Sequence, residues 1–298
     1  MVTEDQIRAA LRTQWHLPPD ECAPLSASER ARTWLVSAGG ERYVAKLVPE
    51  AGREQLQVSL AVAEHLDRIG FAVGGPVWSV DGMLAVPVPV GDTTGVLALL
   101  KYVPGHPLDG DSPVDQLWWG DLLGAVHRGL SGFSHPKLIR LRPLNPDLPH
   151  LSLEPWLRPA VAGATAGLVR LTVTDQLTYG VVHGDPRPGS FRIDPDTGRT
   201  GVVGWDSVAV GLLMFDVANA VAYAGGPDRA VELLDGYRSN GPLPAGEIEV
   251  ALPVVLRCRW ARRADRFARR IAESPGDAEQ AWLGLHEARD ALAALAEA

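Results

Sequence analysis

A chain of 298 residues is too long for a minimal domain, and its 46% hydrophobic content can fill one large core or two smaller ones. The formal charge of −8 disfavours general nucleic-acid binding and suits a cationic small molecule. No stretch approaches the roughly 20 uninterrupted apolar residues of a membrane helix. The opening MVTEDQIRAALRTQW has neither the basic nor the apolar region of a signal peptide, and Thr3 with Gln6 reads as a capping box starting a helix. Cys22 and Cys258 lie far apart without metal-ligand spacing and read as two reduced, buried thiols of a cytoplasmic protein. The Ala, Arg, Gly and Pro bias suggests a bacterial, GC-rich genome.

In chain order, TWLVSA (33–38) and RYVAKLV (42–48) flank Gly39-Gly40 and predict a hairpin. Leu56, Leu60, Ala63, Leu66 and Ile69 share one face of a helix over 52–69. GPVWSV (75–80) and MLAVPV (83–88) around Asp81-Gly82 predict a second hairpin, and VLALLKYV (96–103) a buried strand. Pro, Gly and Asp then cluster in KYVPGHPLDGDSP (101–113), which reads as a hinge. The expected organisation is a lobe at 1–102, a hinge at 103–110 and a helical lobe at 111–298. Leu117, Leu122, Leu123, Val126 and Leu130 form a helix stripe. Residues 181–206 read as short strands and tight loops, and 212–298 as helices broken at Gly225-Gly226-Pro227, Gly241-Pro242 and Ser274-Pro275-Gly276.

The chemistry concentrates in VVHGDPRPGSFRIDPDTGRTGVVGWD (181–206). An acid on a rigid loop after a strand is what a general base requires, because it must stay within hydrogen-bond reach of a substrate hydroxyl. This segment resembles the catalytic and metal loops of aminoglycoside phosphotransferases and choline kinases, His-Gly-Asp-x-x-x-x-Asn followed by Ile-Asp-Trp-Glu or Ile-Asp-Trp-Asp. Lys46 in AKLV, the hinge KYVPGHPLDG, the helix LLGAVHRGL and Asp216 in FDVANAV resemble the family's other landmarks, in order. The resemblance implies an α+β, protein-kinase-like fold: a small antiparallel-sheet N-lobe, nucleotide-binding in the family, hinged to a larger helical C-lobe. It further implies Asp185 as base with His183 beside it, Lys46 on the nucleotide phosphates, ATP and magnesium as cofactors of an active member, and Asp216 bracing the loop.

Two positions depart from that pattern. Ser190 stands where Asn is expected and Gly204 where the metal-binding Asp is expected. Magnesium prefers oxygen ligands in octahedral geometry, usually with one or two carboxylates. Gly204 offers no side chain, so no metal is expected there. Asp206, two residues on along an extended strand, would sit about 6–7 Å away and make a poor substitute. Ser59 stands where the family's lysine-pairing Glu is expected, and the first-strand turn PLSASERARTW (24–34) contains no glycine.

Arg187 reads as an anion contact or a solvated charge. Trp118, Trp119, Trp156, Trp260 and Trp282 offer flat surfaces for an aromatic or cationic ligand, most of them being expected in the core. Arg259, Arg262, Arg263, Arg266, Arg269 and Arg270 form one face of an amphipathic helix, expected to be solvated and paired with acidic neighbours. These features lead to an antibiotic-binding, sequestering protein for self-resistance, with impaired phosphotransfer as in a pseudokinase. The alternatives are an active ATP-dependent small-molecule O-phosphotransferase, and a nucleic-acid or partner-binding protein using the Arg259–Arg270 stripe.

Overall fold

The computed structural model describes residues 2–28, 31–274, 276 and 278–297; the turn positions 29 and 30, and Pro275 of the predicted break, lie outside them. In chain order it begins with α1 (Glu4–Trp15), β1 (Glu21–Ala27), β2 (Arg32–Ala38), β3 (Glu41–Pro49) and α2 (Arg53–Arg68). Next come β4 (Pro76–Val77), β5 (Val86–Val90), β6 (Thr93–Lys101), β7 (His106–Pro107), α3 (Pro113–Gly129) and α4 (Leu157–Thr174). Then follow β8 (Tyr179–Val182), β9 (Phe191–Asp194), β10 (Arg199–Val202) and β11 (Ala209–Leu212). The chain ends in α5 (Met214–Tyr223), α6 (Val231–Asn240), α7 (Ala245–Glu273) and α8 (Glu279–Glu297).

By packing, the chain forms two compact units. One comprises Met1–Asp109, Gly129–Ile139 and His183–Val208; the other comprises Gly110–Arg128, Arg140–Val182 and Ala209–Ala298. The chemistry-bearing loop thus packs with the N-terminal segment. Part of the segment read as a hinge is also a strand, since β7 pairs with β9.

In the first unit an antiparallel sheet runs β1-β2-β3-β6-β4, with β5 also on β6. The predicted hairpin forms with Gly39 and Gly40 both at positive φ, and the Thr3–Gln6 capping box is present. Alternation sorts the faces. Ala45 and Leu47 of β3, with Leu97 and Leu99 of β6, join Ile7, Leu11 and Trp15 of α1. Val48, Val96 and Ala98 join Leu56 and Leu60 of α2 on the other face. Each such fully buried aliphatic contributes about 1.5–3 kcal/mol. Lys46, between Ala45 and Leu47, is thereby turned to the α2 face.

The predicted second hairpin does not form. β4 and β5 each pair with β6 and not with one another. The intervening residues close a local turn, Ser79 N–H to Met83 O at 2.9 Å, and Val80 N–H reaches Gln14 O on α1. The apolar alternation there served two separate partnerships with β6.

The second unit is helical apart from the β8–β11 pair, and α7 packs against α4, α5 and α8. Its interior holds a closed polar chain. The Tyr237 hydroxyl bonds His127 Nδ1 at 2.8 Å, and His127 Nε2 bonds Asp216 at 3.1 Å. All three are buried, and burial, then Asp216 and Glu247, push the Tyr237 pKa well above its usual value. The arginine face of α7 is in part the solvated, acid-paired face expected, since Arg266, Arg269 and Arg270 are exposed and Arg269 lies 3.6 Å from Asp265. Arg259 is buried and Arg263 is ion-paired with Glu287 of α8 at 2.5 Å, because α8 lies along that part of the helix.

Candidate functional site

The site residues of the first unit gather around one turn of backbone. His183 follows β8, and its buried ring bonds Val203 O through Nε2 at 3.0 Å while Nδ1 accepts the Asp185 N–H at 3.4 Å. Both ring nitrogens are engaged with backbone and the ring tilts against Trp205, at 4.8 Å between centroids. His183 is therefore placed to hold the loop. Gly184 sits at φ 85°, and a Cβ there would lie 2.1 Å from Ser207 O, so only glycine lets the two loops approach this closely.

Asp185 follows, with its carboxylate on the Arg187 guanidinium. Arg187 is mostly exposed, so this contact is screened by water. The loop closes as Arg187 N–H bonds Asp185 O and Ser190 N–H bonds Arg187 O, each at 2.9 Å. Val203 N–H then bonds Ser190 O at 2.8 Å, tying β10's end to the turn before β9. The DPDTG turn joins β9 and β10 as a hairpin, as expected.

Gly204 adopts φ 88°, ψ 42°, and a Cβ there would lie 3.3 Å from Ser190 Oγ. The two departures from the family pattern are therefore neighbours in space. Where the family is expected to present an amide and a carboxylate together, this chain presents one hydroxyl and a hydrogen. Asp206 does not continue a strand, which corrects the extended-chain estimate. The left-handed Gly204 is followed by a 3-10 turn, Trp205–Ser207, which carries the Asp206 carboxylate onto Lys46 Nζ. The signal for this was in the sequence, since glycine at a strand end marks a position that can turn left-handed.

Lys46 is 8% exposed and Asp206's side chain 48% exposed, so the pair sits at the rim of the sheet face. Ser59, in place of the expected lysine-pairing Glu, is buried, and its hydroxyl lies 2.8 Å from Gln55 O and 2.9 Å from Trp205 O. Gln55 also donates to Val208 O at 3.2 Å. Sequence reasoning missed that α2 anchors the 205–208 turn through these two polar side chains.

The oxygens here do not fit magnesium. Among the described residues no group of three His, Cys, Asp or Glu side chains comes together. Asp185 is engaged by Arg187, Asp206 by Lys46, and Ser190 supplies a neutral hydroxyl. A divalent cation here would have to share each carboxylate with the cation already on it.

The tryptophans do not line one surface. Trp119 is fully buried in α3 and unavailable to a ligand, whereas Trp118 beside it is 40% exposed. Trp156, Trp260 and Trp282 are half-buried; Trp260 lies 3.9 Å under the Arg259 guanidinium, and Trp282 tilts against His286 at 5.9 Å. Cys22 and Cys258 are free thiols, both buried as expected. No helix among the described residues is long and apolar enough to cross a membrane.

Comparison with known proteins agrees with this architecture. The chain superposes on an amicoumacin kinase solved with AMP-PNP, Ca2+ and Ami, at TM-score 0.74 and 16% identity over 98% of this chain and 93% of that one. A microcompartment-associated aminopropanol kinase matches at TM-score 0.67 and 20% identity, covering 97% and 93%. The choline kinase LicA from Streptococcus pneumoniae matches at TM-score 0.68 and 13% identity, covering 98% of this chain and 99% of that one. At these identities the likeness establishes the protein-kinase-like fold. No curated protein matches the sequence. The sequence profile of the phosphotransferase enzyme family (APH) matches residues 21–248, more than two thirds of the chain, and the chain belongs to that family.

Proposed function

We propose that this family member binds a small molecule without efficient phosphoryl transfer, and that withholding an antibiotic-like compound from its target is its use. The observation that carries the reading is the bare Gly204 lying against Ser190, which puts a hydrogen where the family pattern expects a metal-binding carboxylate. Phosphoryl transfer depends almost wholly on positioning and charge neutralisation. Removing one preorganised stabilising group typically costs about 10²–10³ in rate, and here two positions have changed. The amicoumacin kinase and aminopropanol kinase suggest antibiotics and amino alcohols as the first ligands to try.

A second reading, an ATP-dependent kinase of a small-molecule alcohol, is favoured by one contact. Asp206 brings a carboxylate to Lys46, where the resemblance expects nucleotide phosphates. In that reading Asp185 leaves Arg187 and accepts the hydroxyl proton as the new oxygen–phosphorus bond forms and the bond to the nucleoside diphosphate breaks. One experiment separates the two. Thermal shift and coupled ADP release are measured together over a panel of antibiotics and amino alcohols with ATP and magnesium. The binding reading expects a ligand that raises the melting temperature without ADP release above background. Acceptor-dependent ADP release abolished by Asp185→Ala would establish the second reading instead.

A further inference from the structure

α7 places Arg259, Arg262, Arg263 and Arg266 at i, i+3, i+4 and i+7, on one face of the helix. Arg259 is only 7% exposed. Among the described residues no carboxylate forms an ion pair with it, and its Nη1 is a buried donor without an acceptor. Arg262 Nε and Arg263 Nε, on the same face, are also buried without acceptors. An unmade buried donor is destabilising, and an uncompensated buried charge more so.

Aromatic rings hold the Arg259 guanidinium in place. It lies 3.9 Å from the centroid of Trp260 and 5.4 Å from that of Tyr223, the latter 38% exposed. Rings cover the flat faces of a guanidinium and leave the N–H groups at its edge to make hydrogen bonds. Arg263 and Arg266 act against the charge on Arg259, and Glu287, a carboxylate that favours it, is already paired with Arg263. Burial, reinforced by those arginines, pushes the Arg259 pKa down to about 10, so it remains a cation at neutral pH.

A charge-bearing fork held by rings and lacking an oxygen partner is complementary to an oxyanion. We propose that Arg259, flanked by Arg263 and with the partly exposed Tyr223 beside it, binds the carboxylate or phosphate group of a small acidic molecule. This site lies wholly within the helical unit and goes beyond the reading above, because it requires neither nucleotide nor transfer. It also reverses the expectation of a cationic ligand for this part of the chain.

The test is calorimetric titration of the full-length protein at low, fixed ionic strength with inorganic phosphate, with benzoate, and with choline as a cationic control. Phosphate, benzoate or both should bind and choline should not; the arm that binds identifies which oxyanion is preferred. Arg259→Met should weaken that binding about tenfold or more, while Arg12→Met on α1 of the other unit leaves it unchanged. Should the Met variant not fold, Arg259→Lys, which keeps the charge and loses the fork, should give a loss of the same sense. Binding by neither anion, or affinity indifferent to both substitutions, would overturn the proposal and assign the unpaired donors to water.

Discussion

In the helical unit, Asp216, His127 and Tyr237 form a buried chain in which each member meets the next at 2.8 or 3.1 Å. In the loop at 183–206 the polar groups meet differently: Asp185 and Asp206 each meet a cation near solvent, and Gly204 faces Ser190 with no side chain. The contrast separates scaffold from chemistry. A buried network must be complete because a missing partner costs the full desolvation of the group left behind. A metal-binding carboxylate at the rim can be lost with little effect on folding, because solvent satisfies whatever remains. On the proposed reading, such a chain keeps the family fold while its hold on a cation weakens.

The largest effect should come from breaking the complete network. Asp216→Ala leaves buried His127 without its acceptor and should cost about 3–5 kcal/mol in denaturant unfolding. A loss below about 1 kcal/mol would mean that the helical interior is as tolerant as the loop. Cys258 sharpens the same side of the comparison. Burial raises its thiol pKa from 9.0 to about 11, so the folded state keeps a proton that the unfolded state releases. The resulting stability is fully present below pH 9 and lost as pH rises towards 11, on the order of 2 kcal/mol. Comparing Cys258→Ala with wild type across that range should reveal the slope, and parallel curves would contradict it. At the loop, Asp206→Ala should change stability by about 1 kcal/mol or less, since the pair is screened by water. A loss comparable to that of Asp216→Ala would erase the distinction drawn between the two regions.

Much of this was legible in the sequence where local chemistry decides. Gly39-Gly40 needs positive φ, Thr3 and Gln6 complete a cap, and the alternation in β3 places Lys46 on a defined face. The order of landmarks from Lys46 to Asp216 carried the family, and the Ser190 and Gly204 departures could be read in register. What was not legible depends on distant partners. Nothing local states that 75–90 pairs with β6 at two places, or that Arg259 alone of its face is buried below a tenth exposed. Asp206 was misplaced because the segment was read as extended, whereas one left-handed glycine redirects the carboxylate to Lys46. Trp119 and Trp118 are neighbours of identical chemistry, and only the packing of α3 decides which is core.

The proposed reading turns on whether the loop can anchor a divalent cation while position 204 lacks a carboxylate. Titration of AMP-PNP into wild type and into Gly204→Asp/Ser190→Asn, each with magnesium and with EDTA, addresses it directly. Aspartate tolerates the left-handed backbone better than most residues, and Gly204→Ala controls for the strain. Wild type should bind the nucleotide no more tightly with magnesium than with EDTA, while the double variant should gain about tenfold or more from the metal. A wild-type affinity that magnesium itself raises about tenfold would contradict the account.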